Sequence, residues 1–187
     1  LVADWKGYKS RCLYIFDDID DRVMLYVKNI IQWNREDEEA GIPVEQRTPI
    51  TLFINSYGGD VSVCYALVSA MRLSKTIVRT VNVSVACSAA GIILLSGTPR
   101  YRYCFPMSFC LLHQGSRTLG RTASQVESQQ NNYKKMIKVM EEHILENTKI
   151  EPKEWTKIKT KENYYWPEQQ VEKGIVDNIC SSIDEVL

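Results

Sequence analysis

Several features that would point to a function are missing from this sequence. Cys12, Cys64, Cys87, Cys104, Cys110 and Cys180 include no CxxC spacing, which argues against a thiolate metal site, and no metal site is expected. Four of the six lie in apolar surroundings and read as buried reduced thiols, which suits a cytosol-like compartment. Excess charge is absent, with 23 Lys and Arg against 23 Asp and Glu, so no net field draws the chain to nucleic acid or anionic lipid. There is no basic aromatic patch either, and no nucleic-acid partner is expected. The longest apolar runs, such as 89–95 (AAGIILL), fall far short of the ~20 residues of a spanning helix, so a soluble protein with no membrane partner is predicted. No basic segment followed by an apolar stretch and a cleavage site opens the chain. The expected location is therefore cytoplasmic, or an organelle matrix or stroma if a targeting segment has been removed. GxxxxGK[ST], GxGxxG and GxSxG are all absent, which disfavours a phosphate-binding loop and the common nucleophile elbow.

What is present alternates between two periods. Residues 11–16 (RCLYIF) form a short bulky apolar run, and 22–33 place apolar residues at helical spacing. A charged connection with Gly41 and Pro43 is expected over 34–48. Strands are predicted at 49–55, 76–86, 109–112 and 175–180, and helices at 60–74, 88–95 and 123–147. Pro152 and Pro167 each fit the first turn of a short helix. Strands alternating with helices imply parallel pairing with right-handed crossovers, hence an α/β layered fold. The length of 187 residues fits a single domain, 1–187.

Only two histidines are present, which narrows the search for a general base. His143, beside Glu141, Glu142 and Glu146, reads as a solvated helix histidine. His113 ends an apolar strand and precedes Gln114 and Gly115, an edge where sites gather in layered α/β folds, although a structural role fits equally well. Ser88 stands where a strand passes into the small residues Ala89, Ala90 and Gly91. It could cap a helix, or expose its Oγ while the Ala89 amide faces a developing oxyanion. Gly58 and Gly59 between strand and helix allow a plain tight turn, or close approach of backbone to a ligand.

These residues stand in strings that resemble the proteolytic subunit family of the Clp protease. INSYGGDV (54–61) is similar to the family's INSPGG segment, VACSAAG (85–91) to its nucleophile segment and LLHQG (111–115) to its histidine segment. The spacing matches too, 29 residues from Gly59 to Ser88 and 25 from Ser88 to His113. KENYYWPEQQVEKGIVD (161–177) resembles the family's C-terminal segment, so the likeness runs from Lys9 onward. The resemblance implies a ClpP/crotonase fold of repeated strand-turn-helix units with a protruding handle helix, at about 115–147. It implies a serine endopeptidase in which Ser88 attacks a peptide bond, His113 takes its proton, and the Gly59 and Ala89 amides form the oxyanion hole. Gly58, Gly115, Ser116, Arg117, Thr118 and Leu119 would bind the substrate, the segment from Gly115 pairing with it as a strand. It further implies two stacked seven-membered rings of this subunit, a tetradecamer, degrading unfolded polypeptides supplied by an AAA+ unfoldase of the ClpX, ClpA or ClpC type. ATP would be hydrolysed by that partner, with no cofactor in this subunit.

The sequence departs from the family in places. Its triad aspartate corresponds to Glu162, 49 residues after His113, and Glu162 is the expected third member. Tyr57 replaces the proline before the two glycines, and Ser84 and Val85 replace the usual Gly-Gln pair. Two other readings stay open: a ring subunit of the same fold that cleaves weakly or not at all, and a crotonase-type acyl-CoA enzyme, whose chemistry needs no serine and histidine pair.

Overall fold

The computed structural model describes residues 9–115 and 123–187. β1 (Cys12–Ile15) leads through a 3-10 turn, Asp21–Val23, into α1 (Met24–Glu39); β2 (Ile50–Ser56) leads into α2 (Val61–Leu73), and β3 (Val78–Cys87) into α3 (Ala89–Leu95). β4 (Arg102–Cys104) and β5 (Phe109–Leu112) precede the long α4 (Ala123–Asn147). The chain closes with α5 (Pro152–Ile158), β6 (Asn163–Tyr165), α6 (Pro167–Glu172) and β7 (Asn178–Ile179).

The strands form one sheet, β1-β2-β3-β4-β7, with β5 and β6 branching from it. Parallel pairing holds throughout except for β6, which runs antiparallel to β5. The branch arises because β3 changes partner along its length. Residues Thr80 to Asn82 pair with β4, whereas Val85 to Cys87 pair with β5. The fully buried Asn82 fills the fork, its amide donating to Phe109 O at 3.0 Å and to Gln170 Oε1 at 3.2 Å.

Local chemistry accounts for the helix starts. Asp60 caps α2 by accepting from the Ser62 and Val63 amides, and Pro152 and Pro167 open α5 and α6 as predicted. α3 is apolar all round and every one of its residues is buried, as expected of a helix packed between the sheet, α2 and α4. In α4 the apolar residues Ile137, Met140 and Ile144 are buried, while residues 127–136 hold no buried side chain, as in a helix that extends past the body.

Some expectations need correction. The charged stretch after Trp33 is no connection at its start, because α1 continues to Glu39. The reason is Asp37, 1% exposed, which accepts two hydrogen bonds from Arg11 (2.6 and 2.7 Å) and one from Thr76 Oγ1 (3.0 Å). A charge paired across the fold can sit on a buried face, and spacing of apolar residues alone cannot reveal it. β4 and β6, three residues each, carry too little pattern to be read, and the last strand shrinks to two residues.

Candidate active site

Ser88 sits between the end of β3 and the start of α3, with φ 54° and ψ −122°, a conformation that glycine adopts easily and L-residues avoid. Its N–H donates to Leu111 O at 2.9 Å, which ties the turn to β5. Although it occupies the cap position, its side chain makes no capping hydrogen bond. The hydroxyl instead meets His113 Nε2 at 2.9 Å. His113 follows directly after β5, the strand that pairs with the end of β3. Adjacent parallel strands therefore bring together two residues 25 apart in sequence.

The loop from β2 to α2 closes over the same turn. A Cβ on Gly58 (φ 109°) would lie 2.9 Å from Ser88 Cβ and 3.1 Å from Ala89 N. At Gly59 (φ 150°) a Cβ would lie 2.3 Å from Ile19 O, because Gly59 bridges to Ile19. Neither Gly59 N–H nor Ala89 N–H has a hydrogen-bond partner among the described residues, and Ala89 opens α3, where N–H groups are free by geometry. An apolar cleft of about 40 Å³ adjoins Ser88 and Ala89, lined by Val61, Ile92, Met136 and Met140 among others. Gly115 borders it, while Ser116, Arg117, Thr118 and Leu119 lie outside the described residues.

Glu162 is not on the imidazole. It is exposed and accepts a hydrogen bond from the Tyr164 hydroxyl at 2.9 Å, and no carboxylate bonds to His113 among the described residues. Beside the nucleophile, burial pushes the Cys87 thiol up to about 11, so it stays protonated and is not a competing nucleophile near neutral pH. The described residues contain no cluster of three or more His, Cys, Asp or Glu suited to a metal.

A second serine and histidine contact lies elsewhere. His143 is buried, not solvated, because its face of α4 packs onto the end of α3, where Nε2 meets Ser96 Oγ at 2.7 Å. Its Nδ1 faces two donors, Asn147 Nδ2 at 3.2 Å and Arg72 Nη1 at 3.4 Å, so Nδ1 accepts and Nε2 carries the proton. Ser96 in turn donates to Ile92 O at 2.6 Å. A serine whose proton is committed, facing an imidazole that donates to it, has no base; this pair braces two helices.

The layered sheet with a histidine-bonded serine at a strand-to-helix turn defines a hydrolase-like site on a ClpP-type α/β fold. A family model described as Clp protease matches residues 8–182, and the chain belongs to that family. It is 30% identical over 142 residues to the ATP-dependent Clp protease proteolytic subunit 1 of Streptomyces avermitilis, covering 76% of this chain and 65% of the relative. It is also 30% identical over 175 residues to proteolytic subunit 2 of Corynebacterium diphtheriae, covering 93% and 84%. A proteolytic subunit of Mesostigma viride is 25% identical over 180 residues, 96% of this chain and 75% of the relative. The chain thus spans less than two thirds of the length of the Streptomyces relative.

Proposed function

We propose that this chain is a serine endopeptidase subunit in which Ser88 is the nucleophile and His113 the general base. The observation that carries this reading is the 2.9 Å contact between His113 Nε2 and Ser88 Oγ at a strained turn. In acylation Oγ attacks the peptide carbonyl carbon, its proton passes to Nε2, and that proton is then delivered to the departing amine. Water repeats the sequence to free the acyl group. The Gly59 and Ala89 amides are the oxyanion donors, and the cleft beside Ser88 takes a side chain of the substrate.

Assembly into stacked seven-membered rings, feeding by an AAA+ unfoldase and pairing of extended substrate with the segment after Gly115 belong to the same proposal. The names of the relatives, each a proteolytic subunit of an ATP-dependent protease, support it. Among the described residues no carboxylate bonds to His113, which favours slow cleavage over rapid turnover. Degradation of an unfolded protein tests the reading, with native mass measured alongside. Ser88→Ala should lower hydrolysis by about 10⁴-fold or more without altering particle size, and a fluorophosphonate should label Ser88 in the unaltered chain. Equal hydrolysis by both proteins would overturn the assignment.

A further inference from the structure

β5 and β6 pair Cys110 with Tyr165, Leu111 with Tyr164 and Leu112 with Asn163. One more step of this antiparallel register sets His113 opposite Glu162, and directly opposed residues have Cβ atoms about 5 Å apart. The two chains stay together beyond the ladder, with Asn163 Nδ2 donating to Leu112 O at 3.1 Å and Gln114 N donating to Lys159 O at 2.7 Å. Because side chains alternate, Glu162 and Tyr164 share a face with Leu111 and His113. The register thus gives the Glu162 carboxylate two candidate partners: the imidazole on the residue opposite and the phenol two residues along its own strand. The carboxylate is bonded to the phenol.

We propose that Tyr164 is a positioning residue whose hydroxyl competes with His113 for the Glu162 carboxylate and so holds the third member of the site in reserve. This rests on the reading of Ser88 and His113 given above. The Tyr164 ring is itself steadied by Phe109, 5.8 Å away between centroids. The groups around the carboxylate do not confuse the competition. Its hydrogen bond to Glu162, then burial, raise Tyr164, and burial takes Cys87 to about 11, so both stay protonated near neutrality. Tyr57 is the other titratable group felt by Tyr164. Release of the carboxylate would place a negative charge beside the imidazole, which favours its protonated form and steadies the imidazolium that forms as Ser88 attacks.

The test uses the full chain and Tyr164→Phe, Glu162→Gln and the double variant, each confirmed as folded. Fluorophosphonate labelling of Ser88 and peptide hydrolysis are followed from pH 5.5 to 9. Tyr164→Phe should raise the limiting labelling rate about fivefold, the effect of removing one exposed hydrogen bond. It should also move the midpoint of the pH profile upward by about one unit. Both changes should vanish in the Glu162→Gln background. A rate that falls or stays the same in Tyr164→Phe, or a rise that persists without Glu162, would overturn the inference while Ser88 still labels. Failure of Ser88 to label in every folded protein, the unaltered chain included, would instead remove the serine reading and the inference with it.

Discussion

At Ser88 the backbone carries a cost on the order of 1–3 kcal/mol that a glycine would relieve. Ser88→Gly should therefore be more stable than Ser88→Ala by about 1 kcal/mol in urea unfolding, with both variants inactive. Denaturation curves of the two check this, and equal stabilities would mean that the turn relaxes. At His143 the strain is electrostatic. Burial, then the neighbouring Arg72, lower its pKa below the ordinary 6.5, with Glu146 opposing. The unfolded chain then binds a proton at a pH where the folded chain resists it, so stability is full above about 6.5 and falls as pH drops toward the folded value. The slope of stability between pH 7 and 5 should flatten in His143→Gln, measured by urea titration at each pH. Sequence neighbours Glu141, Glu142 and Glu146 suggest solvent around this residue, but Ser96 and Arg72, brought in by other parts of the chain, meet its ring.

Elements are held in place by polar contacts between residues far apart in sequence. Asp37 joins α1 to Arg11 and to Thr76 ahead of β3. Hydrogen bonds from Arg11, against the opposing effect of burial, lower its pKa. Its stabilising contribution is present above the unfolded-state value and is lost as pH falls through the lower folded one. Asp37→Ala strands a largely buried guanidinium and should cost about 3–5 kcal/mol at pH 7. Calorimetry or urea titration should show that penalty shrinking toward pH 3. The loop from β2 to α2 is equally demanding, since Gly59→Ala would drive a Cβ into the Ile19 carbonyl. It should destabilise by about 2 kcal/mol and lower fluorophosphonate labelling of Ser88 out of proportion to the loss of folded protein. Strands and helices with strong period, β2, α2, β5 and α4, were legible in the sequence to within a residue or so. β4, β6 and the last turns of α1 were not, because short strands and a paired buried charge leave no periodic mark.

Across the whole molecule, the sheet forks at Asn82 and sets β5 beside the end of β3, and this alone brings His113 to Ser88. Arg102 ties the far side together, with two hydrogen bonds to the Asp177 carboxylate (2.6 and 3.0 Å) and further bonds to the carbonyls of Asn147 and Gly174. Arg102→Lys keeps the charge but loses the fork of donors. Thermal unfolding should show a loss of about 2 kcal/mol, with α4 loosening first in hydrogen exchange. The sequence by itself determined the alternation of strands and helices, the family, and the residue types at 88 and 113, because periodicity and motif spacing are local records. Only the tertiary structure decided that His143 is buried, that Asp37 is paired, and that Glu162 bonds to Tyr164 and not to His113. Each of those depends on which chemically suitable partner lies nearest once the chain has closed on itself, and distance in space is not written in distance along the chain.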